Sequence, residues 1–400
     1  MVLGTPGDGT GELRPLPSAL LWGFAFSCLG GPLALLAVEL PDAVGGRALD
    51  SIGLVMLAGA ALFVAPMLVW WRFSGRIASS GGLYAFTKLA VGERVARLQG
   101  WIWVVSYLLY LGFTVTEVVY DLLPEPFPGV TEWRPWLLVG VACALSAAMM
   151  FAERAVLWVL LGSVVAQGMV MVALAAAVLG SHGWRWDSFT VGGHPGSVAR
   201  GIGNASLLFV CGSLPLFLGA EVAGGGRELR RIVAGSTAAV ALALVLTAAP
   251  LAVYAGTNLA SLELPGRTVA LVESGAGLAR WVAAVAIASV LGLMVAEFVA
   301  LTRLLHALTG AAVRSGARLV AAGFIILAVV SLADPERLYS YMITPSLVAL
   351  YVSQAIVFAS YGVMVVRERT ARPSDLLAAG LSCGLMLFGL EVVISQQPYF

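Results

Sequence analysis

Of 400 residues, 60% are hydrophobic and only 11% charged, against roughly 25% charged in soluble domains. That balance excludes a soluble enzyme and predicts one integral membrane domain in the lipid bilayer. A net charge of +1 gives no basic surface for nucleic acid, and four Cys with three His, none at ligand spacing, predict neither a disulfide framework nor a metal site.

Residues 1–17 are polar and rich in Gly and Pro, without a basic start or a small-residue cleavage site. They predict a short disordered cytoplasmic tail and not a signal peptide. Apolar runs of about 17–25 residues then predict about eleven membrane helices. Helices 1 to 5 are expected at 18–40, 52–72, 98–122, 136–152 and 155–180. Helices 6 to 10 are expected at 201–223, 233–256, 281–305, 317–333 and 337–364, with helix 11 at 374–395. With the N-terminus inside, 16 of the 23 basic residues fall on the cytoplasmic side and seven outside. That bias sets the orientation. It predicts a multi-pass protein of the cytoplasmic (inner) membrane, with its C-terminus outside if the helices number eleven.

Helices 1 and 6 are interrupted alike. Cys28-Leu29-Gly30-Gly31-Pro32 breaks the first, and Cys211-Gly212-Ser213-Leu214-Pro215 breaks the second. Gly30 and Gly212 lie 182 positions apart, and nine residues after each comes a glutamate, Glu39 and Glu221. Inside a bilayer no water satisfies freed backbone groups, so paired breaks mark a binding site better than packing kinks do. Helices 2 to 5 map onto 7 to 10 at a similar offset. The fold expected is all-α, with inverted five-helix repeats over 18–180 and 201–364, broken helices 1 and 6, and one additional helix at 374–395.

The breaks supply chemistry. Unwound carbonyls can hold an ammonium group or a cation, and the start of each following half-helix can hold a carboxylate. The substrate site is therefore expected at Ser27, Cys28, Leu29, Gly30 and Gly31, facing Phe209, Val210, Cys211, Gly212 and Ser213. Tyr107 and Tyr110 on helix 3 either line it or pack in the core. Charge within a span costs about 2.5–3.5 kcal/mol even on a lenient scale, which draws attention to Glu117 and Glu297. They are near symmetry mates and candidates for ion coupling; the alternative is an interfacial place near Asp121 and Arg303. Glu39 and Glu221, nearer the span ends, are gating candidates.

Several motifs are similar to the amino acid–polyamine–organocation (APC) superfamily. Ser80-Gly-Gly-Leu-Tyr-Ala with Gly100-Trp101 resembles its loop after helix 2 and the start of helix 3. Phe209-Val-Cys-Gly-Ser with Glu221-Val and Arg227 resembles its sixth helix, and Thr302-Arg-Leu-Leu-His-Ala-Leu with Gly310 the end of its eighth. The resemblance covers roughly 18–365. It implies a permease, and it implies Phe209 as an aromatic lid over substrate, against core packing as the plainer reading. The chain departs from the family in lacking its Gly-x-Gly in helix 1 and the Asn-Pro after the helix 6 glutamate, where Gly224-Gly225-Gly226 stands.

The function expected is secondary active transport of an amino acid or related amine (organocation) by alternating access, with no cofactor. Helices 1, 2, 6 and 7 would rock against 3, 4, 8 and 9. Coupling by proton, by sodium or by exchange stays open. Helix 5 has only Ser163 and Gln167 as polar options, and sodium would need hydroxyls such as Ser289 or Thr302. The alternatives are a non-transporting sensor of the same fold and an intramembrane enzyme. An enzyme would need His, Asp or Ser clustered at one membrane face, which the sequence lacks.

Overall fold

The computed structural model describes residues 14–29, 31–192, 194–369 and 372–395. Among them all regular structure is helical. Ten stretches are long and apolar enough to cross a bilayer. One of them contains α7 (Arg134–His182), a helix of 49 residues. At 1.5 Å per residue that is roughly 70 Å, more than twice the hydrocarbon thickness. Non-helical dihedrals at Ala152 (φ −141°, ψ 30°) divide it into two crossings. The expected helices 4 and 5 are therefore both present.

Helix 1 is built from α1 (Ser18–Ser27), α2 (Pro32–Ala34), a π-helical turn (Leu35–Glu39) and α3 (Leu40–Val44). Helix 2 is α4 (Ile52–Ser74), and α5 (Gly82–Val91) lies in the connection that follows. Helix 3 is α6 (Glu93–Glu117) with a π turn at Val118–Leu122. Helix 6 is α8 (Pro195–Leu207) followed by a 3-10 helix, Val210–Glu221. Helix 7 is α9 (Gly225–Ala248), and α10 (Pro265–Ser274) lies in its following connection. Helices 8 to 11 are α11 (Ala276–Thr309), α12 (Val313–Val330), α13 (Pro335–Arg367) and α14 (Pro373–Ser395). Each half thus opens on a broken helix and carries a short helix after its second crossing. Five crossings per half turn the second half over relative to the first.

Polar side chains hold helices together where apolar packing against lipid-like surroundings gives little drive. Ser106 and Ser346 exchange hydrogen bonds, each hydroxyl donating to the other's carbonyl, at 2.8 and 2.9 Å. Two turns nearer the start of α6, Gln99 donates to Ser353 at 2.8 Å. This ladder locks α6 to α13, while Leu57, Val64 and Leu68 of α4 stay exposed, as a lipid-facing stripe would. Most of the expected tail, residues 1–13, lies outside the described residues. At its end Leu16 is buried, and its N–H donates to the Glu221 carbonyl at 3.0 Å.

Candidate substrate cavity between the broken helices

The α-helical winding of helix 1 ends at Ser27, and Cys28 and Leu29 form a turn. Gly30 lies outside the described residues. Gly31 has φ +73°, a left-handed value that glycine adopts without penalty. A Cβ at this position would strike Gln167 Oε1 and Ser289 Oγ. Those two groups are bonded to each other at 2.8 Å, and Gln167 also donates to Ser163 at 3.2 Å. The helix 1 break therefore rests on a polar bridge between helices 5 and 8.

Helix 6 is interrupted differently from the expectation. It changes winding instead of opening: α8 stops at Leu207, Leu208 and Phe209 turn, and a 3-10 helix runs on through Pro215. Pro215 has no N–H with which to continue an α ladder. The narrower winding makes a mid-membrane change of register, a common mark of a hinge. A Cβ on Gly212 would lie 3.2 Å from Leu29 Cδ2 and 3.4 Å from Thr237 Oγ1. The two interruptions thus meet.

Beside them lies a cavity of about 790 Å³, within the size range of small-molecule sites. Leu29, Val210, Cys211, Tyr107 and Tyr110 line it beside the interruptions. Tyr107 donates to Cys211 Sγ at 3.5 Å and stacks on Trp103 with centroids 3.9 Å apart. Glu39, Glu117 and Glu263 line the part toward the face opposite the N-terminus, with Tyr339 nearby. The described lining residues include three carboxylates and no Lys, Arg or His.

Of the residues expected at the site, Leu29, Val210, Cys211, Tyr107, Glu39 and Glu117 reach this cavity. Ser27, Cys28, Gly31, Gly212 and Ser213 are buried just outside its described lining. Ser213 is engaged elsewhere, accepting from Gln354 Nε2 at 3.0 Å. Phe209 does not line the described cavity. Its ring is fully buried against Phe63, with centroids 5.5 Å apart, because the turn at Leu208 and Phe209 directs it toward α4. Glu297 on α11 also lies outside the described lining. It is fully buried, neither carboxylate oxygen has a hydrogen-bond partner, and it is within electrostatic reach of Cys28, Cys211 and Tyr107.

The N-terminal face is closed. Arg303 of α11 is buried between two carboxylates, 2.7 Å from Glu221 and 2.5 Å from Glu153 at the corner of α7. Leu16 adds its bond to the Glu221 carbonyl, and Arg154 donates to the Pro15 carbonyl at 3.3 Å. The Ser80-Gly-Gly loop completes the closure. Gly82 (φ +48°) sits under the Phe217 ring, and a Cβ on Gly219 would come 2.8 Å from Ser79 O. Arg303 and Glu153 were not singled out in the sequence as partners of Glu221; their only signal was charge within or beside a span.

At the other face, Glu273 of α10 accepts from His182 Nε2 at 2.9 Å and from the Tyr254 hydroxyl. This clasp joins the ends of helices 5 and 7. Burial pushes the Glu273 carboxyl up, but hydrogen bonds from Ser181, Tyr254 and His182 outweigh it and hold the group below the usual carboxylate range.

No family model matches the chain. Its fold is similar to that of Mhp1, a nucleobase-cation-symport-1 family transporter solved in a closed conformation with bromovinylhydantoin bound. That match has a TM-score of 0.63 at 13% identity and covers 100% of this chain and 98% of the other. A Na+-coupled sialic acid symporter in a substrate-bound outward-open state matches at TM-score 0.56 and 12% identity, over 98% and 93% of the two chains. A manganese transporter of Eremococcus coleocola matches at 0.59 and 13%, over 98% and 91%. At such identities the likeness shows the fold: a multi-pass, all-helical membrane protein of inverted repeats, of the kind that these transporters share.

Proposed function

We propose that the protein is a secondary active transporter of the APC type, moving an amino acid or related amine across the cytoplasmic membrane by alternating access. The observation that carries this reading is the pairing of two interrupted helices beside one cavity that reaches one face, while an ion-paired plug closes the other. Solved transporters of like fold include symporters named for a cation or for Na+ coupling, which supports ion-driven movement here.

The cavity walls favour the amine end of such a substrate. Three carboxylates among its lining attract a cation, and Tyr107, Tyr110 and Tyr339 add aromatic rings to the same walls, of the kind that can meet an ammonium group. The carboxylate of an amino acid would rest on the start of α2, where the helix dipole supplies partial positive charge. Glu297 is the coupling residue. An ionised carboxylate buried without a partner is strongly disfavoured, so a proton or a small cation must accompany it. Glu117, its counterpart in the first repeat, binds the ion on the open side.

The test is uptake of labelled amino acids and amines into proteoliposomes, with imposed proton or sodium gradients. Gradient-driven accumulation of at least one amine-bearing compound is expected. No flux across a broad panel, with folded protein in the vesicles, would remove the transport assignment. Ligand-induced stabilisation without flux would replace it with a sensor.

A further inference from the structure

A second cavity, of about 310 Å³, lies at the N-terminal face, away from the broken helices. Four arginines line it: Arg72 and Arg76 at the end of α4, Arg230 on α9 and Arg372 at the start of α14. Two carboxylates answer them. Arg76 pairs with Glu368 at 2.7 Å, and Arg72 Nε lies 3.5 Å from Asp375. Asp375 is already engaged, accepting from the Tyr361 hydroxyl at 3.0 Å and from the Arg372 N–H at 3.4 Å. The cluster therefore carries a net charge of about +2, four guanidinium groups against two carboxylates.

Arg230 is built in a way that solvation alone does not explain. Its guanidinium is held 4.8 Å over the Trp71 ring and rests against Gly75, where a Cβ would come within 3.3 Å of Nη1. Its Nε is buried and has no hydrogen-bond partner. A buried donor left unpaired costs roughly 1–3 kcal/mol, so the site is incomplete as it stands. Arg230 and Arg372 have no ion-pair partner among the described residues. Planar guanidinium groups with unspent donors match the oxygens of a phosphate better than they match water.

We propose that this cavity binds a phosphate ester anion, as the headgroup of an anionic phospholipid presents it. The neighbouring positions supply the apolar surface that a lipid needs: Leu68, Val366 and Leu376 are exposed on the helices whose ends form the walls. Basic pockets between membrane helices at the cytoplasmic side are suited to such headgroups. The site stands apart from substrate transport, so failure of one reading leaves the other in place. It joins helices 2 and 7 to helices 10 and 11, so an occupant would tie the two sets together.

The experiment uses the full chain in nanodiscs of phosphatidylcholine, with and without phosphatidylglycerol, and in phosphatidylcholine with added inorganic phosphate. Melting temperature is the readout, since a ligand of the folded state raises it by mass action. Phosphatidylglycerol is expected to raise Tm. Arg230→Gln/Arg372→Gln is expected to cut that rise by about threefold or more, as loss of two charge-assisted donors implies. Arg314→Gln/Arg318→Gln, which removes equal charge from the same face outside the cavity, is expected to leave it intact. A cavity-dependent rise with inorganic phosphate alone would keep the phosphate site but make its occupant soluble. No rise in either arm, or an equal rise in both double variants, would overturn the proposal. If the first double variant fails to fold, Arg372→Gln alone is read by native mass spectrometry, where retention of phosphatidylglycerol equal to wild type counts against the site.

Discussion

Glu39 and Glu221 occupy matching positions of the two repeats, yet they live in opposite surroundings. Glu39 lines the cavity, whereas Glu221 is buried, locked to Arg303 and bonded through its carbonyl to Leu16. Glu117 and Glu297, 180 positions apart, are near mates in the same sense. The first borders the cavity and the second is fully buried with both oxygens unpartnered. Sequence symmetry thus coexists with an asymmetric conformation: one set of acids borders the cavity and its mates are buried outside its described lining. Exchange of those roles is what alternating access requires. In the proposed alternating-access cycle, the sealed set would be where the opposite-facing state opens.

The contrast breaks most completely at the shared hinge. Gly31→Leu forces a side chain into the Gln167–Ser289 bridge at a left-handed φ, a cost of at least about 3 kcal/mol. Uptake should fall to background, and ligand-induced thermal shifts should vanish. Next in size, Arg303→Gln leaves two carboxylates without their cation at the closed face. Breaking a buried pair costs about 3–5 kcal/mol, here charged to the sealed state. Thiol reagents added from the N-terminal side should label Cys28 and Cys211 faster, while unchanged labelling would mean that Arg303 does not hold the closure.

Finer probes sharpen the comparison. Glu297→Gln should abolish uptake driven by an ion gradient by about tenfold or more while sparing substrate exchange, within the usual range of coupling free energies. Equal loss of both activities would assign Glu297 to packing. Gly212→Ala brings a methyl to 3.2 Å from Leu29 and should cost about 1 kcal/mol, seen as a small loss in Tm with weaker substrate binding. The smallest effect belongs to the clasp. The Glu273 carboxyl is held low, so its stabilisation is complete above the ordinary carboxylate range and is lost as pH falls through its folded value. Glu273→Gln should remove under about 1 kcal/mol at neutral pH and flatten the acid limb of the stability profile.

Much of this arrangement was legible in one dimension. Eleven crossings, the broken helices and the two-fold repeat followed from apolar runs and from Gly and Pro spacing. The Gly31-Pro32 pair favours a departure from helical winding, because Pro disfavours α dihedrals at the residue before it and Gly adopts a left-handed φ without penalty. The change to 3-10 winding after Leu207 was not legible, because Pro215 removes one donor from either winding and the surrounding packing selects which one forms. Phe209, expected as an aromatic lid, packs here against Phe63, a contact set by the neighbouring helix and not by its own sequence.

The amino-acid order alone determined the membrane, the number of passages and the places where regular winding fails. These are local or periodic properties, fixed by transfer free energy and by backbone geometry at single positions. Only the tertiary structure decided which acid borders the cavity and which is locked. Glu221, Arg303 and Glu153 are 82 and 150 residues apart in chain order. Their pairing depends on three helices meeting at one face, a long-range balance of desolvation against Coulomb attraction that no local pattern encodes.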